Sequence, residues 1–258
     1  SFFKYIKADG LDITRKIVSD DKAYENTDLR YFNKDFLMRK QYVPNEYMYY
    51  FYNREQAVEN ILGAERTRGE QIADINEKMT EELSNVDIEK DFEKALEIFD
   101  YYYGLRENSY MASETGEKRN STWHFDMYAP DDGGYAGVAL GIIDAKNSTE
   151  KSRIIACVPN DNKALDFLSE SDTVEISCEI VDGKVTPIKI GDVPFENKEI
   201  ITRVKAYERL ASKAIINCDR ESAVDCLYLH PLVGSYSLAE KLVDEYIELN
   251  KDFTGEWK

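Results

Sequence analysis

The sequence predicts an α+β fold in three zones. A mixed N-terminal region, 1–115, holds a long acidic helical hairpin. A central antiparallel β domain, 121–195, forms a sheet or small barrel of about five strands. C-terminal helices, 196–258, are free to pack with 1–115. Three observations carry this reading. Apolar residues recur every three or four positions through much of the first zone, and every second position through the middle one. Helical spacing returns after Phe195. Asp182-Gly183 separates two alternating runs, the signature of a two-residue β-hairpin.

The first fifty residues are aromatic and mixed in period, and Pro44-Asn45 marks a turn. Tyr47, Tyr49, Tyr50 and Tyr52 follow in a run that reads equally as a strand or the opening of a helix. Asn53 with Gln56 resembles a capping box. The stripe Ala57, Val58, Ile61 and Leu62 continues as Ile72, Ile75, Met79 and Leu83. A second helix, capped near Asp87, carries Ile88, Phe92, Ala95, Leu96, Phe99 and Tyr103, and ends at Gly104 or after Tyr110. A short link between two helices favours an antiparallel hairpin. Residues 114–120 read as a linker.

In the middle zone, 121–128 alternate loosely and Asp131-Asp132-Gly133-Gly134 is a turn. Residues 135–143 are apolar enough for a buried strand, 153–158 make another, and 162–168 read as a short helix. Residues 173–181 then alternate throughout and 184–190 return. Pro187 cannot donate to a ladder, which places its strand at an edge. This count and order suit a small barrel of the OB type. In the last zone Ile200, Ile201, Val204, Tyr207, Leu210 and Ala214 share one helix face. Residues 221–229 form a short helix stopped by Pro231. Ser237 with Glu240 caps a final helix lined by Leu238, Leu242, Tyr246 and Leu249.

Composition narrows the function. Fifty acids against 33 bases give a net charge of -17, which repels duplex nucleic acid and anionic membranes. No window approaches the apolar length that spans a bilayer, and the N-terminus lacks an intact signal peptide. A soluble, cytoplasmic protein is the expectation, although a processed exported one would read the same. The standard phosphate, dinucleotide, zinc-protease and serine-hydrolase motifs are all missing. No cofactor is implied.

The site candidates are therefore weak ones. His124, beside Asp126, is a candidate general base. Asp131 and Asp132 with Asp126 offer oxygen ligands for a divalent cation. Cys218, Cys226 and His230 have a spacing that zinc accepts, without a fourth ligand. Tyr47, Tyr49, Tyr50 and Tyr52 are too dense for every ring to face one core, so some of them reach a surface suited to a partner. The main reading is a non-enzymatic acidic binding or regulatory protein, an inhibitor or adaptor contacting another protein or itself. One alternative is an oligonucleotide- or oligosaccharide-binding module using Trp123, Tyr128 and Tyr135 with Lys146, Lys151 and Arg153. The other is a hydrolase or metal-dependent enzyme centred on His124 and its aspartates.

Overall fold

The computed structural model describes residues 1–40, 42–117, 124, 126 and 134–258. They form two compact units, Ser1–Ala129 and Pro130–Lys258. Helix and sheet are mixed, as the α+β reading expects.

The first unit opens with two small antiparallel pairings. β1 (Phe2–Phe3) pairs with β4 (Val43–Pro44), and β2 (Lys7–Ala8) with β3 (Leu11–Asp12). Between them run α1 (Thr14–Ser19), α2 (Asp21–Glu25) and α3 (Lys34–Arg39). Val18, Phe32, Leu37, Val43, Met48 and Tyr49 are buried here. The tyrosine run resolves as helix: a 3-10 turn at Glu46–Met48 leads into α4 (Tyr49–Tyr52). α5 (Arg54–Gly63) follows, then α6 (Arg68–Ser84), α7 (Phe92–Ser109) and α8 (Ala112–Thr115).

The expected hairpin is α6 and α7. Arg68 Nε donates to the Ser109 carbonyl at 3.3 Å, Arg106 to Asn76 at 3.1 Å, and Tyr102 to Glu82 at 2.5 Å. Rising numbers on one helix meet falling numbers on the other, which makes the pair antiparallel.

Several local expectations shift. The stripe expected to run on from Ala57 breaks between α5 and α6, because Thr67 and Glu70 form a true capping box. Asn53 caps nothing with its side chain, which donates to the Tyr31 carbonyl at 3.3 Å, and Gln56 turns to Asn60. α7 starts under Asp91 rather than Asp87 and runs through Gly104. Residues 114–120 are helical at their start, since α8 extends to Thr115.

The second unit begins with α9 (Gly134–Asn147), which corrects the expected strand at 135–143. A continuous apolar run such as 135–143 has no period to tell strand from helix, and its nine residues fit either. Its Ala and Leu favour helix. The described sheet is thus an open antiparallel one in the order β5 (Ser152–Pro159), β6 (Thr173–Val181), β7 (Lys184–Pro187), with three strands rather than about five. The expected strand at 121–128 lies outside the described residues apart from 124 and 126, and so does Asp131-Asp132-Gly133.

The hairpin signal held. Asp182 and Gly183 take φ of 48° and 75°, both left-handed, and Val181 pairs with Lys184. Pro187 ends an edge strand, as expected. Val174, Ile176, Cys178 and Ile180 of β6 are buried on one face, the first three packed with Ala164 and Leu168.

The helix expected at 162–168 shrinks to a 3-10 turn at Asp161–Lys163. Asn160 is the cause. Its buried amide donates to the carbonyls of Leu165, Leu168 and Ser169, and its Oδ1 accepts from Leu165 N–H at 2.9 Å. The Leu165 N–H and carbonyl are among the backbone groups a helix would need for itself.

α10 (Phe195–Asn217), α11 (Arg220–Leu229) and α12 (Tyr236–Thr254) complete the unit. The expected α10 face is buried or half-buried along its length. α12 is capped by Ser235, not Ser237, and buries Ala239 and Val243 instead of the expected Leu238, Tyr246 and Leu249. Its period was right and its inward face was one residue off.

Asp172 is nearly enclosed and grips Arg209 through two hydrogen bonds, of 2.8 and 2.5 Å. The guanidinium holds its carboxyl below the ordinary 3.8, and the Ser169 N–H helps. A depressed folded pKa gives stability that is present above about pH 4 and is lost as pH falls through the folded value. With Arg209 half exposed, Arg209→Leu is expected to cost about 1–3 kcal/mol at pH 7. Urea unfolding should show the difference between variant and parent narrowing as pH falls below about 4, and a difference constant with pH would refute the linkage.

Candidate functional site

The tyrosine run does not form a uniform aromatic surface. Tyr49 is buried, edge-on to Tyr31 at 6.1 Å, and Tyr52 packs edge-on against Phe36 at 4.8 Å. Tyr49 is core, which corrects its reading as a contact residue, while Tyr52 is half-buried. Tyr47 is 57% exposed, because the tight 3-10 turn points it away from Met48 and Tyr49 on either side. Tyr50 lies between the two extremes, half-buried.

Around Tyr47 and Tyr50 the fold gathers polar groups from far along the chain. Tyr110, at the end of α7, donates to Glu46 Oε1 at 3.2 Å. The Glu114 carboxylate of α8 lies close enough to act on the Tyr50 hydroxyl. The Arg68 guanidinium sits 5.5 Å from the centre of the Tyr110 ring. Burial, then the neighbouring Tyr47 and Glu46, push the Tyr110 hydroxyl far above its usual value. Burial and the Glu114 carboxylate do the same to Tyr50, while Arg68 opposes them. Both phenols therefore stay protonated and act as hydrogen-bond donors.

Two details mark this as more than packing. Glu114 Oε2 is buried with no hydrogen-bonding partner among the described residues. Met111, directly after Tyr110, holds a left-handed φ of 54° while buried, a conformation that costs a non-glycine residue energy. The strained turn aims Tyr110 back at Glu46.

The other candidates are not gathered into such a site. His124 is exposed, and its Nδ1 lies 2.8 Å from Asp100 Oδ2 on α7; Asp126 is exposed. Trp123, Tyr128, Asp131 and Asp132 lie outside the described residues. Tyr135 is 98% exposed on α9, in the second unit. Lys151 and Arg153 both bind Glu179, at 2.7 and 3.2 Å.

Cys218, Cys226 and His230 serve the helices rather than a metal. Cys218 is the left-handed cap of α10, with φ 49°. Cys226 is buried, its thiol facing the Ala223 carbonyl at 3.1 Å. His230 stacks edge-on to Tyr207 at 4.7 Å, and burial lowers its pKa. Among the described residues no group of three or more His, Cys, Asp or Glu is placed to hold a metal ion. Nor is any described helix long and apolar enough to cross a membrane.

Comparison with known proteins gives the cluster its context. Residues 1–233 match the model of the family 4 glycosyl hydrolase C-terminal domain. The probable 6-phospho-beta-glucosidase of Bacillus subtilis (strain 168) is 23% identical over 219 residues, covering 85% of this chain and 43% of the relative. The phospho-alpha-glucosidase PagL of Clostridium acetobutylicum is 23% identical over 247 residues, covering 95% and 48%. The chain thus spans about half the length of the curated relatives it matches. The 6-phospho-beta glucosidase of Thermotoga maritima, solved with manganese, NAD+ and glucose-6-phosphate, has the same fold. Its TM-score is 0.68 at 21% identity, over 98% of this chain and 51% of that one. The family match overturns the reading as a non-enzymatic binding protein, inhibitor or adaptor: the domain is that of a glycosyl hydrolase. It favours the hydrolase alternative over the main reading.

Proposed function

Because the chain belongs to the family 4 glycosyl hydrolases, matching their C-terminal domain, we propose that it forms part of an enzyme cleaving 6-phospho-glucosides, with Tyr47 as its working side chain. The carrying observation is that Tyr47 is exposed next to two half-buried polar groups, Glu46 and Tyr110, which hydrogen-bond to each other at 3.2 Å. Tyrosine is among the side chains that transfer protons in catalysis. Arg68 brings positive charge to a strongly acidic protein at the point where a phosphorylated sugar needs it. The relatives named above are phospho-glucosidases, which supports the same substrate class.

NAD and manganese accompany glucose-6-phosphate in the Thermotoga enzyme. This chain's described residues do not fit either group by themselves. No metal-holding cluster is present among them, and the sequence has no glycine-rich dinucleotide fingerprint. The proposal therefore assigns Tyr47 to the sugar and routes no step through either group.

The test is hydrolysis of nitrophenyl 6-phospho-α- and 6-phospho-β-glucosides by the whole enzyme of which this chain is proposed to form part, with NAD and manganese supplied. Release of nitrophenol from a phosphorylated substrate, and not from its unphosphorylated counterpart, is the expected result. Equal rates on both, or none on either, would defeat the assignment.

A further inference from the structure

The three-stranded sheet of the second unit has two edges, and they are built differently. β7 is four residues long, opens on Lys184 and closes on Pro187, which has no N–H to offer. Short length, lysine and proline are the usual defences of a sheet edge against pairing with another chain. β5 has none of them along its middle. It runs eight residues, Ser152–Pro159, each opposite one residue of β6 with no bulge, and its proline stands only at the last position.

The direction of the backbone groups follows from the register. Val181 and Lys184 close the two-residue hairpin, so Val181, Glu179 and Ser177 turn their N–H and C=O toward β7. In keeping with this, the Ile188 N–H donates to the Ser177 carbonyl at 2.9 Å. Ile180, Cys178, Ile176 and Val174 then face β5 and bond to Ser152, Ile154, Ala156 and Val158 opposite them. That leaves the N–H and C=O of Arg153, Ile155 and Cys157 directed outward. Among the described residues no backbone group meets them on that side. Their side chains stand on the exposed face of the sheet, and Ile155 is 57% exposed.

We propose that this edge pairs with β5 of a second copy of the chain, antiparallel about a two-fold axis at Ile155. The axis sets Ile155 opposite its own counterpart, and Arg153 opposite Cys157 of the copy. Each opposed pair exchanges two hydrogen bonds, which uses every outward group of the three residues. The charges match as well. Arg153 shares a row with its own Glu179 on one side, and with Cys157 and then Glu175 of the copy on the other. Glu175 is two strand spacings away, about 10 Å, within the combined reach of the two long side chains. No like charges come to lie directly opposite. A foreign extended peptide meets the same backbone groups without this matched row, whereas a second copy supplies it by symmetry. The pairing is independent of which sugar the enzyme takes.

The test uses the whole enzyme, in sedimentation equilibrium over a concentration series. The parent is expected to self-associate. Ile155→Pro removes an outward N–H and leaves the β5–β6 ladder intact. By symmetry it deletes both bonds of the central pair, and it should weaken association about ten- to a hundredfold. Register is read by disulfide trapping in a Cys157→Ser background. Ile155→Cys should link two copies under mild oxidation, since opposed residues of a bonded pair lie about 5.5 Å apart at Cα. Lys184→Cys, on the defended edge, should not. A parent that stays monomeric leaves the edge to another chain and overturns the proposal. So does a folded Ile155→Pro that associates as tightly as the parent. Where Ile155→Pro does not fold, trapping decides: linkage through position 155 no faster than through position 184 defeats the pairing.

Discussion

Asn160→Ala is expected to destabilise the second unit by about 3–5 kcal/mol, the largest effect of any single polar substitution considered. The side chain is 0% exposed. It satisfies three carbonyls and one N–H in the loop between β5 and β6. Each buried group left unpaired costs about 1–3 kcal/mol, and water can re-enter to serve only some of them. The loop also carries Ala164 and Leu168, which lie in the core against β6. Loosening it therefore exposes apolar surface as well. Thermal unfolding should show a midpoint lower by on the order of 10 °C or more. Asp161→Ala, at the exposed neighbour, should stay within about 0.5 kcal/mol of the parent. A loss under about 1 kcal/mol in Asn160→Ala would mean that the loop is held by its apolar contacts instead.

Tyr47→Phe is expected to lower kcat on a phospho-glucoside by about 10²–10⁴-fold, the range typical for loss of a group that moves a proton in the transition state. KM should change far less, since the ring and its neighbours stay in place. Stability should be nearly unchanged, because the ring is more than half exposed and the lost hydroxyl has solvent on its outer side. Steady-state kinetics with thermal unfolding as the control make the check. A variant that keeps activity within about threefold of the parent removes Tyr47 from the chemistry. A variant that loses activity and stability together would assign it a packing role instead.

Why the site was hidden while much of the fold was visible follows from range in sequence. The β6–β7 hairpin was legible because its determinants are adjacent: two left-handed turn residues and an alternation that fixes register on each side. The Thr67 and Glu70 box is equally local, three residues apart in the sequence, and it forms where the Asn53 and Gln56 pair does not. α9 was not legible. An apolar run without period leaves the choice between helix and strand to whatever it packs against. The final helix showed the correct period, but which of two adjacent stripes turns inward depends on the neighbouring helix.

The candidate site lay furthest from reach. Tyr47 stood out for its tyrosine-rich surroundings, but Glu46 and Tyr110 are 64 positions apart, and nothing in either neighbourhood names the other. Arg68 and Glu114 come from two further helices.

By itself, the sequence determined the α+β class, the helical hairpin, the β-hairpin and its edge, and a charge hostile to polyanions. All of these depend on neighbours along the chain or on composition. Only the tertiary structure decided which tyrosine faces out, which carboxylate Tyr110 reaches, that Cys218 and His230 end helices and that Cys226 is buried within one. Those outcomes depend on contacts between distant segments. Burial and hydrogen-bond direction come into being only when the segments meet.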